Sequence, residues 1–151
     1  MRIRAISLWE PWASLMAVGA KRFETRSWAT RHRGPLLICA ARRWSRDQAD
    51  FLAAGFVQRA LRGSLCPGGT VRRDHLQCGN AVAIVELVEW WSTDWPIPVA
   101  INESRLGDYS RGRFAWETTN LQRIVYPFPV RGRRGLFGVE IRPNLEVLTD
   151  V

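Results

Sequence analysis

A chain of 151 residues, 46% hydrophobic and 24% charged, has the size and balance of one globular domain with a real core. No apolar run approaches the ~20 residues of a membrane span, and Trp9-Glu10-Pro11 interrupts the start that a secretion signal would need behind Arg2 and Arg4. Three cysteines at irregular spacing do not make a disulfide framework, so the chain reads as one domain over 1–151, cytoplasmic, with reduced thiols, and is taken as a monomer.

The net charge of +8 and the pI near 10.9 point to a polyanionic partner, nucleic acid first. An arginine-rich background that raises charge everywhere is the plainer alternative.

In chain order, Ile3 to Leu8 reads as a first strand. Pro11 suits the first turn of a helix, on which Trp12, Leu15 and Met16 share a face, and Gly19 is a left-handed stop. Phe23 to Trp28 reads as a strand with Glu24, Arg26 and Trp28 on one side and Phe23 and Thr25 on the other. A basic turn with Arg31, His32 and Arg33 follows, then the apolar run Leu36 to Ala40, a buried strand.

Ser45 and Gln48 form a capping box for a helix carrying Leu52, Phe56 and Ala60, with Gly55 able to split it and Gly63 to end it. The stretch 63–79, rich in glycine and arginine, is expected as a surface loop. It holds Cys66, His75 and Cys78, but that spacing supplies only three ligands with no clear fourth, so neither a metal nor a cofactor is expected. Ala81 to Val88 is a strong strand with Val82, Ile84, Glu86 and Val88 on one face; Glu86 there is either at a barrel mouth or at a solvated strand end.

Trp90-Trp91 and Trp95-Pro96-Ile97-Pro98 form a rigid connection, and Tyr109 to Arg113 a basic turn. Phe114, Trp116 and Thr118 share a strand face; Leu121 to Val125 and Leu136 to Ile141 are further strands, and the tail after Pro143 is peripheral. Arg131, Arg133 and Arg134 make the densest positive cluster. Strands outnumber helices, and the helices come early, which gives an α+β fold with a mostly antiparallel sheet.

Of the 22 basic residues only Lys21 is a lysine. An ammonium is compact and can lose its proton when desolvated, which a guanidinium cannot. Lys21 falls in the bend before the strand that carries Glu24 and Arg26. Glu24 could orient either neighbour; Arg26 could grip a phosphate or carboxylate; Lys21 could act as a point charge or as a base. A purely structural ion-pair network is the alternative. Trp9, Trp12, Trp28 and Trp116 could stack a base beside arginines such as Arg42, or fill the core.

The octet Gly19-Ala20-Lys21-Arg22-Phe23-Glu24-Thr25-Arg26 resembles the G-x-K-x-x-E-x-R signature of the ASCH domain family, a branch of the PUA-like superfold. The lead-in Ser7-Leu8-Trp9-Glu10-Pro11-Trp12-Ala13 is similar to the S-L-W-x-P-W-A opening of bacterial and phage members. Blocks at Arg33 to Ile38, Gly112 to Trp116 and Pro129 to Phe137 resemble later family segments. The resemblance implies a small PUA-like barrel flanked by helices, with a cleft around the signature that holds RNA or a nucleotide-like ligand.

Some relatives remove the acetyl group from acetylated cytidine, using threonine where this chain has Glu24, and others cut RNA. A carboxylate does not replace a hydroxyl nucleophile, and Thr25 points to the opposite face. Many relatives also have histidine at the position of Cys39.

Three functions are therefore expected. The first is a module binding RNA or a nucleotide through Trp9, Pro11, Trp12, Lys21, Glu24, Arg26, Trp28, Arg42, Trp116, Arg131, Arg133 and Arg134. The second is a metal-independent ribonuclease or amidohydrolase with Lys21, Glu24 and Glu86 as catalytic groups. The third is a protein-interaction module.

Overall fold

The computed structural model describes residues 1–149. Its strands are β1 (Arg2–Leu8), β2 (Phe23–Arg26), β3 (Gly34–Ala40), β4 (Asn80–Ser92), β5 (Phe114–Pro129), β6 (Phe137–Glu140) and β7 (Val147–Leu148). The helices are α1 (Trp12–Ala17), α2 (Arg46–Ala53), α3 (Gly55–Leu65) and the single turn α4 (Ile101–Ser104).

The strands form one curled sheet in the order β2-β5-β4-β3-β1-β6, with β7 added to β5. Only β1 and β3 run parallel; the other pairs are antiparallel. This is the expected mixed α+β architecture, a small PUA-like barrel with helices on its flank. Among the described residues no helix is long and apolar enough to cross a membrane.

The apolar run of β3 is buried from Leu36 to Ala40 because the strand lies between β1 and β4 and is covered on both faces. On one face Ile6, Leu36, Ile38, Val85 and Trp116 pack around α1; on the other, Ala5, Leu37, Cys39 and Ala81 pack against Phe137 and Ile141. A third cluster, built on Leu15, Leu52, Val57 and Leu61, glues the helices to one another.

Several elements differ from the sequence expectation. The separate strand at Leu121 to Val125 is part of β5, because Asn120 takes a left-handed φ of 53° and the pairing with β4 shifts register there instead of breaking. A second shift, between Leu87 and Glu89, leaves Val88 42% exposed and off the face it was expected to share. Trp90 and Trp91 extend β4 opposite Trp116 and Ala115, not a connection. β2 stops at Arg26, two residues short of Trp28.

Gly55 opens α3 after a break at Ala54, and Gly63 lies inside α3, which runs on to Leu65. In the stretch 66–79, Val71 and Leu76 are buried against the helices, and Arg73–His75 forms a 3-10 turn. The tail is drawn in: β7 pairs with β5, and Leu145 and Val147 pack on the second core face, an alternation too short to register as a strand.

Glu10 joins these layers. It is fully buried, and its carboxylate accepts from Ser14 N (2.7 Å), Ser14 Oγ (2.6 Å) and Gln77 N (3.0 Å), tying the start of α1 to the segment before β4. Burial raises its pKa, and the three hydrogen bonds only partly oppose that. A raised folded pKa gives stability that is present below the ordinary carboxylate range and lost as pH rises through the folded value. The stability of the wild type relative to Glu10→Gln, read by urea unfolding across pH 4 to 8, should therefore fall as pH rises. A flat or rising difference would contradict the burial argument.

Candidate functional site

The bend that ends α1 sets the site. Gly19, at φ 83°, turns the chain back, and Lys21 N donates to Leu15 O at 3.1 Å. Lys21 is 2% exposed, with its ammonium facing β2. Nζ donates to Phe23 O and, at 2.9 Å, to Glu24 Oε1. Glu24 Oε1 also accepts from Thr25 N, and Oε2 lies 3.5 Å from Arg26 Nη2. Arg26 Nη2 donates to Ser7 O at 2.9 Å, which links β2 to β1 although the two strands do not pair. The three signature side chains thus form one charged chain. Arg26 Nε is buried and has no partner among the described residues.

Two clefts meet at this chain. The first has a volume of about 530 Å³, and Lys21, Glu24, Trp12 and Phe51 are among its walls. The second, of about 1040 Å³, is lined by Arg42, Arg131, Arg133 and Arg134. Ser7, Trp9, Arg26 and Trp28 border both, so they are the partition between them. Of the five arginines that line the second cleft only Arg26, on the partition, pairs with a carboxylate among the described residues; Arg42, Arg131, Arg133 and Arg134 do not.

The aromatics are fixed by one another. Trp12 stacks on Phe51 with centroids 4.7 Å apart, and Trp28 meets Trp116 edge to face at 4.8 Å. Trp9 is 47% exposed, with the Arg43 guanidinium 4.0 Å over its ring.

Trp9, Trp12, Lys21, Glu24, Arg26, Trp28, Arg42, Arg131, Arg133 and Arg134 therefore gather around the two clefts. Three expected site residues are placed elsewhere. Trp116 is fully buried, and its indole N–H donates to Trp28 O at 3.2 Å, so it supports the partition from behind. Pro11 is buried at the head of α1, after a cis bond from Glu10, and lines neither cleft. Glu86 lines neither cleft; it lies opposite Pro35 and Thr119 on the sheet. Cys39 is buried in the core, where desolvation pushes its thiol up to about 12. His75 Nδ1 accepts from Arg72 N, and among the described residues no three His, Cys, Asp or Glu side chains gather as a metal would need.

Several groups of the site carried no signal that sequence reasoning used. Glu103, on α4, accepts from Arg22 N and Phe23 N at 2.8 Å each and so covers the open edge at the start of β2. A lone glutamate in a one-turn helix gives no pattern to read. The far wall of the first cleft comes from Arg105, Asp108 and Arg113. Asp108 N donates to Thr25 Oγ1, and Arg113 donates to Thr25 O, both at 3.1 Å. The Ser110 hydroxyl and N–H, helped by Arg113, hold the Asp108 carboxyl below its usual range. Burial, with the Glu103 and Glu24 carboxylates, pushes the Tyr109 hydroxyl up. The basic turn at 109–113 was visible in the sequence, but not its docking on Thr25.

Chemically the set is rich in fixed donors. Lys21 uses two of its three N–H groups on the protein, and four guanidiniums stand without carboxylates among the described residues. Such an array holds anions, while the tryptophans offer flat apolar surface.

The ASCH domain model matches residues 6–128 of the chain. Activating signal cointegrator 1 from Homo sapiens is 48% identical over 128 residues, 84% of this chain and 20% of the relative. The protein of that name from Mus musculus is 33% identical over 128 residues, with the same shares covered. The chain thus spans about a fifth of the length of the curated relatives it matches.

Removing the lysine should show how far the fold relies on it. Lys21→Met fills the same space but leaves Glu24 with Arg26 as its one ion partner and Thr25 N as its backbone donor among the described residues. Breaking a buried pair from one side costs about 3–5 kcal/mol. Because Arg26 remains, urea unfolding should show a loss near the lower end of that range. A loss under about 0.5 kcal/mol, the size of a surface change, would contradict the buried role.

Proposed function

The chain belongs to the ASCH domain family, and from that premise we propose that it is a nucleic-acid-binding module, taking RNA or a nucleotide at the two clefts around Lys21, Glu24 and Arg26. The observation that carries this reading is the row of carboxylate-free arginines in the second cleft, next to a cavity walled by tryptophan. With 22 basic residues against 14 acidic ones many arginines of this chain stand without a carboxylate, so it is their gathering in one cleft that counts. Four left together in one cleft, in a chain of net charge +8, suit a ligand that brings its own negative charge.

The signature contributes position more than free charge. Lys21 and Glu24 satisfy one another and hold Arg26, whose guanidinium faces both clefts. Arginine suits phosphate because its planar fork matches two oxygens at once.

Fluorescence anisotropy with labelled single-stranded RNA, over 20 to 300 mM salt, tests the reading. Each phosphate neutralised on a single strand steepens the salt dependence by about 0.7 in log–log slope. Three or four arginine contacts should give a slope of roughly −2 to −3. Absence of binding at the lowest salt, or binding that salt does not weaken, would overturn it.

A further inference from the structure

We propose that the two clefts are one continuous site for a single-stranded nucleic acid, with one base turned into the tryptophan cavity and the adjoining phosphates on the arginine cleft. This rests on the nucleic-acid reading above and narrows it to a ligand class. Free nucleosides fill half of the site, and a closed duplex fits only its arginine half.

The first argument is the unequal chemistry of the halves. The walls of the first cleft combine the rings of Trp12 and Phe51 with polar groups on Lys21, Glu24 and Asp108. Apolar rings and polar groups in one cavity are what one base needs, since every base has a π-face and a hydrogen-bonding edge. Its volume of about 530 Å³ is in the ordinary range for one small ligand. The second cleft adds to the partition four guanidiniums and no further aromatic ring, which suits a backbone and not a base.

The second argument is the partition. Trp9 and Trp28 border both halves, so a strand leaving the cavity must cross them. Arg26 stands on the same crossing, held through Nη2 by Ser7 O, with Nε buried and unpartnered. The phosphate next to the inserted base would pass this point.

The third argument excludes the duplex from the first half. A paired base is stacked and cannot reach Lys21, which lines the cavity yet is only 2% exposed. Entry therefore requires a base that is already unpaired or is extruded at a cost.

A single-stranded hexanucleotide with internal 2-aminopurine, a hairpin duplex of the same sequence closed by a non-nucleotide linker, and a nucleoside 5′-monophosphate separate the outcomes. The hexanucleotide should bind at least about tenfold more tightly than the hairpin, with the fluorescent base shielded from acrylamide, as expected when a stacking contact is added. The double variant Arg133→Ala/Arg134→Ala should lower hexanucleotide affinity about tenfold and flatten the log–log salt slope by about 1.4. It should leave the monophosphate within about twofold. Trp9→Ala, on an exposed ring, should weaken the hexanucleotide about tenfold with the thermal melt unchanged. Equal binding of strand and hairpin, or a probe base open to acrylamide, would overturn the continuous site while nucleic-acid binding stood. Failure of all three ligands to bind would overturn that broader reading too.

Discussion

One buried ammonium holds together the end of this molecule where the two clefts meet. Lys21 reaches back from the turn after α1 to the carbonyl of Phe23 and the carboxylate of Glu24. β2 is a four-residue strand that ends the path of strands and pairs only with β5. A strand so short cannot hold its position through ladder bonds alone. Lys21 ties it to α1, Glu103 covers its first N–H groups, and Arg26 links it to β1. Arginine in place of Lys21 would carry a planar fork too wide for the space a compact ammonium fills. That gives a physical reason for one lysine among 21 arginines.

Burying this charge is tolerable because both partners are supplied by the same short loop and strand. A buried pair rarely stabilises a protein as much as apolar packing would, but leaving half of it costs several kcal/mol. The charged chain therefore fixes one arrangement of the site more than it strengthens the fold. The stability comes from the core around β3 and from the helix cluster of Leu15, Leu52, Val57 and Leu61. The proposed site lies where the charged edge meets the aromatic side of that helix layer, at Trp12 and Phe51.

Much of this was legible in the residues. The alternation of Phe23 and Thr25 against Glu24 and Arg26 gave the faces of β2, and the unbroken run Leu36 to Ala40 marked the doubly covered strand. Gly19 announced the turn that aims Lys21. What stayed hidden was set by distance in the chain. Glu103 lies 80 residues from Phe23, and the 105–113 wall meets Thr25 only after the sheet has curled. Nothing in the residues around Asn120 signals that β5 carries a left-handed residue and continues through it. Trp116 and Glu86 sat on faces that periodicity could assign but not orient: the first is turned to the core, and the second lies outside both clefts.

Because Lys21 is the only lysine, its side chain can be watched without ambiguity. Nitrogen-15 NMR of the Lys21 ammonium, with and without single-stranded RNA, tests the central claim directly. A resolved Nζ signal with slow proton exchange, shifting in a saturable way as RNA is added, is what an ammonium locked under β2 at the cavity floor predicts. A rapidly exchanging signal at the position of a solvated lysine, unmoved by RNA, would contradict it.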